Sequence, residues 1–461
     1  MQGKEEYYKG VNMKVSLNPI RNTAPNFKSN ITFDIGGSQR EGSCKIFYAS
    51  TPTDEVFFKE RTTVNDLGKS RFENADDFVQ LIVQKIGKIQ NDNRDIVKAQ
   101  GYVDSENALK NVAIFVPSYT ANDKAFYFPN LKNNNDKPLQ DIDFSNFKER
   151  LMANGVEVSD DMNFKVLQDA IGTGLAMTLR LFNNNMLEPG KLYTACITGG
   201  GCGISNIEVI DDENVIIKSS GSSYLSQSLS MQKVSKAGAS APALIENFCK
   251  AMGLNEEIID NIKSCHKAEF VLDPHAQYFK DVKTERLKAL LIESNIFDIQ
   301  DDNETSYTIK VKDEYLQKYN TARRNAIDKY CLALARLAII KKTEGANGMI
   351  VTGTLAQAVD RAAKLSYGSS ISEWVMQHLT QSFNSYELDK IQSVYGFNVL
   401  CDERFAIDNN AECGELVHMA KFVGPHRSNW LKLNIRDLRA CAFHDMQHAV
   451  AKAVCTVKPH I

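Results

Sequence analysis

Asp34-Ile35-Gly36-Gly37-Ser38 lies between two β-rich runs in residues 31–48 (ITFDIGGSQREGSCKIFY). Glycine lacks the Cβ that keeps an anion away from backbone N–H groups, and it tolerates positive φ. A glycine pair at a strand-to-strand turn therefore suits phosphate oxygens. Asp34 ends the first run and can hold Mg²⁺ through water, because that ion keeps several waters and takes only one or two carboxylates. A plain hairpin turn would read the same. Thr198-Gly199-Gly200-Gly201-Cys202-Gly203 follows a second apolar run and offers further N–H donors to phosphate. Its structural alternative is a tight corner or bulge.

Asp169, in Val166-Leu167-Gln168-Asp169-Ala170, follows a short apolar run and opens a helical pattern. A carboxylate there lies in the crevice at the carboxyl end of an open α/β sheet. It can take the proton of a hydroxyl that attacks a phosphate, or it can only cap the helix. Gly353-Thr354 in IVTGTLA makes a strand-to-helix junction whose backbone can pack against an adenine ring. Cys441, His444 and His448 fall on one face of a predicted helix and are candidate metal ligands, but HDMQH lacks the glutamate of a catalytic HExxH. Cys413 with His418, and Cys265 with His266, are weaker sets of the same kind.

The elements that position these residues follow from apolar spacing. Strands are predicted over 31–48 as a hairpin, and over 55–59, 111–118, 164–167, 192–198 and 348–352. A further hairpin spans 205–218. Helices are predicted over 74–90, 144–154, 169–183, 243–252, 256–264, 282–292, 321–342 and 355–367, with the last near 434–455. Residues 297–315 are polar and read as an insertion. The order of strands and helices is that of an α/β protein. The two glycine turns share one plan, strand–turn–strand, about 165 residues apart, which predicts two similar lobes across a cleft. Expected boundaries are a polar extension at 1–28, a first lobe at 29–165, a second lobe at 166–433 and a C-terminal helix at 434–461 that packs back on the first lobe.

The chain has 461 residues, enough for two or three domains, with 43% hydrophobic and 24% charged residues and a net charge of −3. Nothing in that balance suggests nucleic acid or a membrane surface as a partner. No run is long and apolar enough for a transmembrane helix, and the polar start lacks a signal-peptide core. Ten scattered cysteines without a CxxC pair read as reduced thiols, so a cytoplasmic location is expected.

In order, these motifs resemble those of the ROK-type glucokinases and, more distantly, the hexokinases of the actin-like ATPase superfamily. DIGGS resembles the first phosphate motif and NVAIFVPS the strand that ends in a proline. FPNLKNNN is similar to the Pro-Asn-Leu segment, LQDAIGTGLA to the catalytic aspartate motif, CITGGGCG to the second phosphate motif and MIVTGTLAQAV to the adenosine motif. The resemblance covers about residues 31–367. It implies a two-lobed, ribonuclease H-like α/β fold with ATP in the cleft. It makes Asp169 the general base and Asp34 the Mg²⁺ carboxylate. Gly36, Gly37, Ser38, Thr198, Gly199, Gly200 and Gly201 would bind the phosphates, and Gly353 and Thr354 the adenosine. Asn130, Gln168, Asp169 and Glu208 become sugar contacts. ATP and Mg²⁺ are the implied cofactors, a hexose such as glucose the implied acceptor, and a homodimer a candidate assembly. The chain departs from the family at Gln168, where an asparagine is usual, and at residues 219–226, where the Glu-x-Gly-His sugar motif is missing. The family's cysteine-rich zinc cluster is missing too. An ATPase, or a sugar or nucleotide sensor of the same fold, is the alternative reading.

Overall fold

A computed structural model of the chain describes residues 30–36, 43–49, 57–63, 71–99, 108–222, 238–265, 268–279, 282–303, 306–384, 396–407, 413–424 and 430–439. The first half contains β1 (Asn30–Gly36), β2 (Ser43–Ala49), β3 (Phe57–Thr63), α1 (Ala75–Ala99) and β4 (Leu109–Val116). It continues through β5 (Thr120–Ala121), β6 (Lys124–Lys132), β7 (Pro138–Asp143), α2 (Phe147–Ala153) and β8 (Val158–Gln168). α3 (Asp169–Asn183) then leads to the second half. There β9 (Leu192–Thr198), β10 (Cys202–Val209) and β11 (Asn214–Ser222) form a meander. Next come α4 (Ala241–Met252), α5 (Glu256–Cys265), α6 (Glu269–Leu272), β12 (His275–Phe279), α7 (Val282–Glu293), β13 (Phe297–Asp301), β14 (Ser306–Val311) and α8 (Leu316–Thr343). The chain closes with β15 (Gly348–Thr352), α9 (Thr354–Tyr367), α10 (Ile371–Asn384), β16 (Asn398–Leu400), α11 (Gly414–Met419), β17 (Lys421–Phe422) and β18 (Trp430–Asn434).

Two sheets organise these elements. The first has the order β3-β2-β1-β4-β8, with β1–β2–β3 antiparallel and β1, β4 and β8 parallel. The second contains β11-β10-β9-β15-β16, with the first three antiparallel and β9, β15 and β16 parallel. Each is therefore a meander followed by two parallel strands, in spatial order 3-2-1-4-5. That duplicated order gives the two similar lobes expected from the two glycine turns, in the ribonuclease H-like arrangement that the resemblance implies. β18 and β17 extend the second sheet beyond β11.

Strand alternation assigns the faces of the first sheet. Ile31, Phe33, Ile35, Val112, Ile114, Val116 and Val166 pack with α1 and α2 in one apolar core. Ala113, Phe115 and Leu167 point the other way, into a core built by α3, α11 and the near face of the second sheet. The far face of the second sheet packs on α4, α8, α9 and α10. Helix α3 is thus held between the two sheets. Gly174 makes this possible: a Cβ there would lie 2.5 Å from Ile217 Cγ2 and 2.7 Å from Ser205 Oγ.

α11 returns to the first sheet from late in the chain. Lys165, buried on β8, donates to the carbonyls of Val417 at 2.8 Å and His418 at 2.9 Å, satisfying the end of that helix with a cation. The His418 ring lies 3.4 Å from Thr32 Oγ1. Burial first, and then the Lys165 charge, hold its imidazole well below the ordinary range, so it packs as a neutral ring. Residues 414–419 thus return to the first sheet; of the helix predicted over 434–455, residues 435–439 are helical and those beyond 439 lie outside the described residues. The polar stretch 297–315, read as an insertion, includes β13 and β14, which form with β12 a separate three-stranded sheet in the order β12-β14-β13.

Candidate active site

Asp34 stands opposite Phe115, and Phe115 opposite Leu167, across three parallel strands. Asp169 comes two residues beyond Leu167, so both carboxylates emerge at the carboxyl edge of the first sheet. Asp34 is only 7% exposed. Burial, and then the like charge of Asp34, push the Asp169 carboxyl from its ordinary 3.8 up to about 7. The Ala170 N–H, 2.7 Å from Asp169 Oδ1, works in the opposite direction. Asp169 is the first residue of α3, with Gln168 at the N-cap and no side-chain cap bond, so its carboxylate engages the first helical turn without capping it, and the raised carboxyl exchanges its proton near neutrality.

The second glycine turn forms the facing wall. Thr198 pairs with Cys202, leaving Gly199–Gly201 as the tip, closed by the Gly199 N–H donating to the Gly201 carbonyl at 3.0 Å. A Cβ placed on Gly203 would lie 3.7 Å from the Ala170 Cβ, which sets the first turn of α3 against the base of this hairpin. The N-terminus of α4 abuts the tip, with the Ala241 N–H donating to the Gly199 carbonyl at 2.8 Å. Ser240 caps that helix at Ala243. Its dipole adds positive potential beside the turn. The Thr198 hydroxyl is fixed by the buried Tyr330 hydroxyl at 2.7 Å.

Gly353 and Thr354 adjoin the same turn, because Thr352 on β15 pairs with Ile197 on β9. Gly353 has φ of 98°, and a Cβ on it would come within 2.6 Å of the Thr198 carbonyl oxygen. Only glycine fits that approach. Beside it is a cavity of about 240 Å³ lined by Thr352, Gln357, Asp360, Arg361, Phe405 and Ala406 among others. Gln168 is buried, and its Oε1 accepts a hydrogen bond from Ser219 Oγ on β11. Ser219 falls in the stretch where the sequence shows no sugar motif. Only the cross-lobe contact singles it out.

The remaining predicted residues divide. Gly36 ends β1 opposite Ser43, while Gly37 and Ser38 lie outside the described residues. Asn130 is on β6, in the irregular stretch between Phe128 and Lys132. Glu208 is not brought to the site. It pairs in register with Leu192 at the opposite end of β9 from the turn, and its carboxylate holds Lys218 at 2.5 Å. The eight-residue run of β10 carries it there; proximity in sequence to the turn was a poor guide along an extended strand. Cys441, His444 and His448 lie outside the described residues, as does His266. Cys413 is buried and outside any disulfide, and the His418 ring serves packing.

No protein-family model matches the chain, and no curated protein matches it. Solved structures do. A ROK family protein from Streptococcus pneumoniae, in complex with sucrose, is 14% identical, with a TM-score of 0.43 over 83% of this chain and 95% of that one. Glucokinase from Balamuthia mandrillaris, in complex with glucose, is 9% identical, with a TM-score of 0.46 over 82% and 91%. A ROK family transcriptional regulator, a homologue of E. coli MLC, is 11% identical, with a TM-score of 0.43 over 81% and 74%. Likeness at this level says nothing of substrate, and the fold stands on its strand order.

The donor set fits a hard divalent cation. Asp34 and Asp169 share one sheet edge, and burial, then the Asp34 charge, raises Asp169. Among the described residues no group of three or more His, Cys, Asp or Glu is placed to hold a metal. A pair of carboxylates with water and phosphate completing the shell is how Mg²⁺ is commonly held.

Proposed function

We propose that this chain is an ATP-dependent phosphotransferase that moves the γ-phosphoryl group of Mg-ATP to a hydroxyl of a hexose such as glucose. The observation that carries the reading is the Asp34–Asp169 pair set against the Thr198–Gly201 turn. The backbone N–H groups of that turn and the α4 N-terminus would receive the phosphates, with Gly353 and Thr354 against the adenosine. Asp34 would hold Mg²⁺ through water, and the ion would supply charge neutralisation on the phosphates. Asp169 accepts the acceptor's hydroxyl proton as that oxygen forms its bond to the γ-phosphorus; the bond to the β-bridging oxygen breaks and ADP leaves. Catalysis of this kind rests on positioning and electrostatics, and closure of the two lobes would keep water out. The hexose as acceptor is what the motif resemblance implies.

ADP release measured over a hexose panel tests the reading. Hexose-dependent turnover is expected, falling about 10²–10⁴-fold in Asp169→Asn while ATP still binds. Turnover that survives the substitution would remove Asp169 from its role. One observation favours the alternative of an ATPase or a sugar or nucleotide sensor: Glu208 is tied to Lys218 away from the site. ATP hydrolysis indifferent to every sugar, or ATP binding without turnover, would put that reading first.

A further inference from the structure

Cys196 and Cys202 flank the second glycine turn. Cys202 pairs with Thr198 and Cys196 with Ile204, so the two side chains lie diagonally on one face of the β9–β10 hairpin. Both are buried and outside any disulfide, and their Sγ atoms are 3.3 Å apart. An S–S bond of about 2.05 Å needs that gap to close by only ~1.2 Å. Gly199, Gly200 and Gly201 are half-buried, so a reagent of a few atoms arriving from solvent meets the turn beside Cys202 first. The contact with Cys202, and then burial, hold the Cys196 thiol well above its ordinary range, so Cys196 stays protonated. The turn between the two sulfurs is anchored: the Thr198 hydroxyl is tied to Tyr330, and the Gly199 carbonyl accepts from the Ala241 N–H. With those anchors in place, a pull of Cys202 toward Cys196 falls on the tip at Gly200 and Gly201.

We propose that Cys196 and Cys202 are a site of reversible oxidation, where hydrogen peroxide makes a disulfide that closes the neck of the turn and weakens nucleotide binding. The nucleotide half of this inference rests on the phosphotransferase reading. Cys202 Sγ attacks one peroxide oxygen, the O–O bond breaks, and the thiol proton leaves with the other oxygen as water. A sulfenic acid is left on Cys202. Cys196 Sγ attacks that sulfur and the S–O bond breaks. The departing hydroxyl takes the Cys196 proton and leaves as a second water as the S–S bond forms. Two electrons have passed from the thiols to the peroxide, and a dithiol reductant returns them by exchange. Coupling between disulfide and nucleotide is reciprocal. A disulfide that weakens ATP tenfold is itself opposed tenfold by ATP, ~30 mV in the potential of a two-electron couple.

The test treats the full chain with hydrogen peroxide, with and without saturating Mg-ATP, and follows peptide masses and ATP affinity along one time course. A peptide pair joined through Cys196 and Cys202 is expected. The ATP Kd should rise about tenfold or more in step with it, and dithiothreitol should reverse both changes. Saturating Mg-ATP should slow the linkage. Cys196→Ala should bind ATP as reduced wild type does and keep that affinity in peroxide. Absence of the linked pair, linkage that leaves ATP affinity unchanged, or affinity loss that persists in Cys196→Ala each overturns the proposal. Should that variant fail to fold, wild type decides alone. Affinity loss that runs ahead of linkage, or that dithiothreitol does not reverse, overturns it equally. Reduced wild type that binds no ATP removes the phosphotransferase reading and the nucleotide half of this one, while the peptide masses still judge the disulfide.

Discussion

At the scale of single residues, the site turns on one carboxylate made uncomfortable by another. Asp169 is pushed up to about 7 by burial and by Asp34. As a base it works only when ionised, so kcat/KM should rise with pH and level off above about 7. Asp34→Asn removes the like charge and should move the midpoint of that rise to lower pH, whatever it does to the plateau; a midpoint that stays put would show that Asp34 is not the cause. The same shift has a cost in stability. A carboxyl whose folded value lies above its unfolded value favours the folded state fully below the unfolded value, and that contribution is lost as pH rises through the folded one. Asp169→Asn should therefore melt higher than wild type at pH 8 without ligand, with the gap shrinking toward pH 5. Equal melting temperatures at both would contradict the cost assigned to the Asp169 charge beside Asp34. The motif residues were readable because their chemistry needs particular residue types: glycine at the turns, aspartate at the strand end. Ser219 was not, because a serine on a strand is ordinary until the fold brings Gln168 to it.

At the scale of elements, the turn formed by Thr198–Gly201 depends on its neighbour β15. Gly353→Ala would drive a methyl group into the Thr198 carbonyl at a φ of 98°. It should destabilise the protein by about 1–3 kcal/mol and weaken ATP binding together. Calorimetry with nucleotide titration checks both, and loss of stability with unchanged ATP affinity would separate Gly353 from the nucleotide. Elements with strong apolar runs were legible in the sequence: 169–183, 192–198 and 348–352 match α3, β9 and β15 in full. β13 and β14 were missed because their alternation, with Phe297 and Ile299 in one and Tyr307, Ile309 and Val311 in the other, is interrupted in the sequence by the charged run Asp301-Asp302-Asn303-Glu304. The α11 return left no pattern at all, since Lys165 bonds backbone carbonyls and any sequence has those.

At the scale of the whole molecule, two sheets grip one helix, and α11 clamps the first sheet from the second half of the chain. Lys165→Met keeps the aliphatic stem and deletes both bonds to the α11 carbonyls. It should cost about 2–3 kcal/mol in denaturant unfolding, and a change within 0.5 kcal/mol would show that the clamp is idle. The late return also imposes an order on synthesis. The inner face of the first sheet is complete at residue 168 and meets α3 at once, but its α11 cover comes only when residue 419 has been made, a delay of about 250 residues, or roughly 12–50 s at ordinary elongation rates. A half-made apolar sheet face left open that long would invite aggregation. Here the waiting face carries Thr32, Asp34 and Lys165 among its apolar residues, so polar groups that end up buried keep the nascent sheet wettable while it waits on the ribosome.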